Sequence, residues 1–195
     1  MSWFRRAPLE GQRWVVVDCE TSGLDAGRDR LLSVAGVEVR DRVIRPQEFF
    51  EARVRQSEAS APENILIHGI GGDAQRGGRP LAEVIAALRA FVADGVPVAF
   101  HAPFDAEVLQ RHGLQLRRWL DLATLTPALF PARKAKLLDE WLRQFGIAAH
   151  ARHDALGDAF STAQLLLVVL AEARRQGVTT VEALREAASS RFLPR

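Results

Sequence analysis

The sequence predicts an α/β fold, a mixed five-stranded sheet flanked by helices, on three observations. Trp14-Val15-Val16-Val17 is a continuous apolar run of the kind found in strands buried on both faces. Two further strand patterns follow it and make an antiparallel meander with it. Beyond the meander, helical patterns alternate with short strands, an order that layers helices onto a mixed sheet. The 195 residues, 48% of them hydrophobic, fit one domain with a substantial core. The expected division is a loose tail over 1–12 and a single domain over 13–190.

Taken in order, the strand that begins at Trp14 ends on Asp18. Leu31 to Arg40 and Val43 to Phe50 are the next two strands, joined by a tight turn at Arg40-Asp41-Arg42. The polar, proline-containing stretch Gln56 to Asn64 reads as a loop, and the glycine-rich stretch Gly71 to Arg79 as a flexible one. Pro80 opens a helix whose one face carries Leu81, Val84, Ile85, Leu88, Phe91 and Val92, with Gly95 closing it. Val96 to Phe100 is a short strand, Pro103 to about Gln110 a helix, and Arg118 to Leu120 a fifth short strand reaching Asp121. Leu138, Trp141, Leu142 and Phe145 mark another amphipathic helix, stopped by Gly146. The longest helix runs from about Ala155 to Arg175, with Leu156, Ala159, Phe160, Ala163, Leu167 and Leu170 toward the core. Leu165 and Val169 fall on its other side, so its middle is apolar all round and reads as core or as a homodimer contact. A short helix from Thr180 to about Ala188 ends the chain.

Composition narrows the setting more than the function. The single Cys19 excludes an intramolecular disulfide framework and a multi-cysteine zinc site, and suits a reducing compartment. Arg5-Arg6 is followed by no apolar run, unlike a signal peptide, and the longest apolar run, Leu165 to Ala171, is too short to span a bilayer. A cytoplasmic location is the resulting expectation. Formal charge is +2, from 26 basic and 24 acidic residues, which permits a nucleic-acid partner without requiring one. Nearly all the basic residues are arginines, the only lysines being Lys134 and Lys136.

Three acidic motifs stand at three element ends. Alternation along a strand puts Asp18 and Glu20 on one face, roughly 7 Å apart, with Cys19 on the other as a small core residue. Two such carboxylates either emerge into solvent or surround something positive. Asp105 falls in the first turn of its helix, where the macrodipole alone accounts for a carboxylate. Asp154 is a suitable N-cap for the long helix, leaving His153 just before it and Asp158 at one end of a face that becomes buried. A carboxylate so placed needs a hydrogen-bonded partner or a metal. Together, four carboxylates carry about four negative charges, which two divalent magnesium or manganese ions would balance, and oxygen-only ligation suits those hard cations better than zinc.

The segments Asp18-Cys19-Glu20-Thr21-Ser22-Gly23-Leu24, His68-Gly69-Ile70, Phe104-Asp105, Asp121 and His153-Asp154-Ala155-Leu156-Gly157-Asp158-Ala159 occur in that order. They resemble the DEDDh group of 3′→5′ exonucleases, the DnaQ-like family that holds the epsilon subunit of bacterial DNA polymerase III, RNase T and oligoribonuclease. The resemblance runs from about Arg13 to Gln176 and implies a ribonuclease H-like fold. It further implies that Asp18, Glu20, Asp105 and Asp158 hold two divalent ions, Mg2+ or Mn2+, and that His153 is the general base. Thr21, Gly23, Leu24, His68 and Phe104 would cradle the terminal nucleotide, with Leu24 wedged against its base. Asp121 matches a family position that is not a metal ligand, and reads as a helix cap. The implied substrate is nucleic acid with a free 3′ end. Single-stranded DNA is favoured because His68-Gly69-Ile70 resembles the epsilon-like branch. RNA is the alternative, and a non-catalytic module binding nucleic acid or a polymerase a further one. About twenty residues follow the long helix, without the extended tail of an epsilon-type subunit, so a free-standing enzyme is expected. One departure is His101, where many relatives carry Asn. Arg133, Lys134 and Lys136 form a small basic patch that suits phosphate contact or a solvated loop.

Overall fold

The Trp14–Val17 run lies at the middle of the sheet. In the computed structural model, which describes residues 7–148 and 154–189, it belongs to β1 (Trp14–Thr21). The other strands are β2 (Leu31–Arg40), β3 (Val43–Arg53), β4 (Val96–Ala99) and β5 (Leu120–Asp121), in the order β3-β2-β1-β4-β5. β1 pairs antiparallel with β2, and β2 with β3, whereas β1–β4 and β4–β5 are parallel. The mixed five-stranded sheet expected from the sequence is therefore present. The β2–β3 hairpin turns through Asp41 and Arg42, at φ 52° and 65°, the left-handed pair that matches the twist of the strands.

Helices cover both faces. They are α1 (Pro62–His68), α2 (Gly72–Arg76), α3 (Leu81–Val92), α4 (Ala102–Arg111), α5 (Leu122–Leu129), α6 (Leu138–Gln144), α7 (Ala155–Arg175) and α8 (Val181–Ser189). Alternation along β1 divides its side chains between two cores. Trp14 and Val16 join the cluster that includes α5, α6, α7 and α8, and Val15, Val17 and Cys19 join the one that includes α3 and α4. Asp18 and Glu20 consequently extend the face that α7 covers. This division places the site.

Several expectations need correction. Gln56–Asn64 is not loop throughout, because Pro62 starts α1; its apolar Leu66 and Ile67 are exposed, so it shows no core-facing stripe. Part of the glycine-rich stretch is α2, held by buried Gln75, whose amide donates to Ser60 Oγ and the Ile70 carbonyl, each at 2.8 Å. α5 has no counterpart among the elements expected from the sequence. Within α7 the deepest residues include Leu165, Leu166 and Val169, all fully buried, while Leu156, Phe160 and Leu167 are half-buried. The all-round apolar character of α7 is thus used inside the chain. α7 is long and apolar enough to cross a membrane, but 61% of its apolar window is buried, as in a core helix. The N-terminal stretch is not loose from residue 7 onward. Leu9 is buried, its N–H donates to the Thr179 carbonyl at 3.0 Å, and Pro8 bridges Thr180.

Candidate active site

The C-terminal end of β1 delivers Asp18 and Glu20, both half-buried, to the face crossed by the start of α7. That start is set by Asp154, whose carboxylate accepts the Gly157 N–H at 3.0 Å as N-cap. One turn on, Asp158 is buried at 7% exposure. Asp18, Glu20 and Asp158 each present an oxygen within 4.8 Å of the others, from two elements far apart in sequence. Three like charges so close are stable together only with positive charge or shared protons between them. The donor set is oxygen alone, which fits a hard divalent cation.

Asp105 lies outside that trio but in the wall of the same cavity, about 640 Å³, together with Asp18, Glu20, Asp158, Leu24 and Phe104. It is 4% exposed and sits in the first turn of α4. Burial drives its carboxyl up to about 7, and the nearby Asp121 carboxylate pushes the same way. Hydrogen bonds from the Cys19 thiol, the Cys19 backbone N–H and Asp105's own N–H oppose the rise by favouring the charged form. The Cys19 thiol is itself held well above its ordinary pKa, by burial first and then by Asp105 and Asp18, so it remains a donor. Strand alternation places Cys19 on the correct face but gives it no role beyond core filler. Its link to Asp105 depends on where α4 starts, which no local pattern reveals.

The raised carboxyl has a consequence for stability. The folded state holds the Asp105 proton more tightly than the unfolded chain, whose aspartates titrate near 3.8. The stability that Asp105 contributes to the metal-free protein is therefore present in full below about pH 4 and lost as pH rises to about 7. Urea melts of wild type and Asp105→Asn across that range test it by difference. A divalent ion, which binds the deprotonated form, should restore the loss in wild type, and a difference that does not change with pH would show Asp105 ionised throughout.

Asp121 acts as the expected cap and as more. Its Oδ1 accepts the Ala123 N–H at the start of α5 and also the N–H groups of His101 and Ala102, at 3.0 and 3.2 Å. It thereby fixes the turn from β4 into α4, the helix that carries Asp105. His101 is exposed within that turn at φ 70° and lines the cavity. A left-handed residue is tolerated best as Gly or Asn, with Asp and His also enriched, so His101 is compatible with the backbone at that position. Phe100 and Pro103 also line the cavity.

The predicted nucleotide contacts divide. Leu24 is 94% exposed at the cavity edge, and Phe104 lines the cavity while packing on the second core. Thr21 Oγ donates to the Gly23 carbonyl at 2.5 Å, bracing the turn beneath Leu24. Gly23 has an internal reason, since a Cβ there would lie 2.5 Å from the Asp29 carboxylate. His68 is not brought to the cavity. It is buried, its Nδ1 accepts the Ile70 N–H at 3.0 Å, and its Nε2 lies 3.1 Å from Ser60 Oγ. Burial lowers its pKa, in keeping with a neutral ring that ties α1 to the following loop. Arg133 lies over the Phe145 ring at 4.8 Å and donates to the Gln144 carbonyl, so part of the small basic patch is packed in place. His153 falls outside the described residues.

A family model described as RNase T-type exonuclease matches residues 15–166. The chain belongs to this exonuclease family. Among curated relatives, a DNA polymerase III subunit epsilon-like protein of Rhodobacter capsulatus is 31% identical over 185 residues, covering 91% of this chain and 26% of that protein. The exonuclease domain described here thus spans about a quarter of that relative's length. Among solved structures, E. coli Exonuclease I in complex with a dT13 oligonucleotide superimposes with TM-score 0.73 at 18% identity, over 85% of this chain and 42% of that one. Exonuclease X in complex with 5′-overhanging duplex DNA gives 0.72 at 23% identity, over 90% and 99%. These likenesses establish the ribonuclease H-like fold of this exonuclease-family chain.

Proposed function

We propose that this chain is a metal-dependent 3′→5′ exonuclease that removes 5′-nucleoside monophosphates from the 3′ end of single-stranded DNA. The observation that carries the reading is the convergence of Asp18, Glu20 and Asp158 within 4.8 Å at the floor of a cavity that also holds Asp105. These four carboxylates would hold two Mg2+ or Mn2+ ions, which when bound supply Lewis-acid stabilisation of the phosphoryl oxygens and lower the pKa of water. His153, just before the α7 cap, takes the proton from the attacking water as general base. Phe104 and exposed Leu24 receive the terminal base, a contact tolerant of base identity. Asp121 and Cys19 keep Asp105 in place. DNA is preferred over RNA because both solved structures described above hold DNA. The epsilon-like name of the curated relative fits a repair or proofreading role.

Matched 3′-labelled DNA and RNA oligomers, incubated with magnesium or manganese, test this. Stepwise shortening of the DNA with mononucleotide release is expected, faster than for RNA. Faster loss of the RNA would move the assignment to an exoribonuclease of RNase T or oligoribonuclease type. No hydrolysis of either by folded protein would leave a non-catalytic binding module.

A further inference from the structure

Behind the loop that carries Leu24 lies a second cleft, about 160 Å³, lined by Arg30, Arg55, Arg111 and His112. Its apolar lining includes Leu31, which starts β2, and Val54, which directly follows β3, both buried. Each guanidinium is already aimed by one backbone carbonyl. Arg30 donates to Glu58, Arg55 to Gly78 at 3.0 Å, and Arg111 to Asp29. A guanidinium carries five N–H donors, so most of each fork is left for another acceptor. Some arginines on the surrounding surface have carboxylate partners, as Arg28 does in Asp25, Arg76 in Asp73 and Arg79 in Glu83, whereas Arg89 bonds the Gly113 carbonyl. None of the described carboxylates pairs with Arg30, Arg55 or Arg111. In addition, the Nε2 of His112 is buried and has no hydrogen-bond partner among the described residues. Burial and the neighbouring Arg111 charge hold that imidazole below its ordinary pKa.

Three guanidiniums without a described carboxylate partner and an unsatisfied imidazole nitrogen around one small cleft describe a site for a compact oxyanion. The volume is that of about five waters at about 30 Å³ each, room for one phosphate group. Arg111 ends the same helix that carries Asp105 in its first turn, six residues earlier and so about 9 Å along the axis. At about 3.4 Å per stacked nucleotide, that is the span of roughly two to three nucleotides. We infer that Arg30, Arg55 and Arg111 form a subsite for a phosphodiester group of the polynucleotide substrate other than the one being cleaved. The inference rests on the proposed nuclease function for its ligand. The subsite anchors the strand by backbone charge, without reading sequence.

The test compares wild type with the triple variant Arg30→Gln/Arg55→Gln/Arg111→Gln, in which Gln keeps a donor for each carbonyl, and with the corresponding triple Lys variant. Two substrates are used, a single-stranded oligonucleotide of about a dozen residues and a small aryl phosphodiester of a mononucleotide that reaches only the catalytic cavity. The Gln variant is expected to raise KM for the oligonucleotide about tenfold at low salt while leaving aryl ester turnover unchanged. The slope of log affinity against log salt should fall by about 0.7 for each phosphate that is no longer held, and the Lys variant should retain most of the effect. An unchanged oligonucleotide KM, or equal losses on both substrates, would overturn the subsite. Should the wild type hydrolyse neither substrate, the proposed function fails separately, and fluorescence anisotropy with the labelled oligonucleotide decides the subsite. Binding weakened in the Gln variant upholds it and equal binding overturns it. If inorganic phosphate raises the melting temperature of wild type but not of the Gln variant, while oligonucleotide binding is equal in both, the cleft serves a free anion and the polynucleotide assignment is overturned.

Discussion

Asp158→Asn should abolish turnover while making the metal-free protein more stable. The loss is set by the several kcal/mol that metal-borne charge stabilisation supplies to a phosphoryl transition state, a fall of about a thousandfold or more. The gain arises because Asp158, buried at 7% exposure, shares with Asp18 and Glu20 a space in which their oxygens lie within 4.8 Å. Removing one of three clustered charges relieves repulsion, and Asn keeps the shape and a hydrogen-bonding oxygen. A gain of about 1 kcal/mol corresponds to about 2–4 °C in melting temperature for a chain of this size. Manganese titration should raise the melting temperature of wild type and leave the variant unmoved. Thermal scans with and without metal, beside an oligonucleotide assay, read all three effects. A variant that melts lower without metal but keeps the manganese shift would show that Asp158 is a structural residue.

His153→Ala should separate chemistry from metal binding. A positioned general base contributes about 10²–10⁴-fold, so turnover should fall by that factor. The manganese-induced rise in melting temperature should persist, because the carboxylates are untouched. Retained turnover would remove His153 from the role of base.

How much of the fold is legible in the chain depends on how each element is buried. β1 is readable because a strand covered on both faces has no polar side to interrupt its run, and Trp14 to Val17 are all buried. The cap of α7 is readable because Asp154 bonds its own helix, a purely local event. The buried face of α7 is easily misjudged because nearly every position there is apolar, and periodicity cannot rank the faces of such a helix. α1 escapes notice for the opposite reason, as its Leu66 and Ile67 point away from the core. α5 carries no charged residue and contains Pro127, a helix breaker by ordinary rules, so its pattern has no polar face to contrast.

The sequence alone determined the chemistry available to this protein. The identity and order of Asp18, Glu20, Asp105, His153 and Asp158, and the pairing of the first two on one face of a strand, follow from the chain and from the period of a β-strand. Only the tertiary structure decided which of these groups meet. Asp158 reaches Asp18 and Glu20 because α7 crosses the sheet there. Asp105 is instead buried beside Cys19, and His68 is turned inward to hold Ser60 and Ile70. The physical reason is that burial and proximity arise from long-range packing, and these set a carboxylate's charge and a histidine's partners. A residue's neighbours along the chain specify neither.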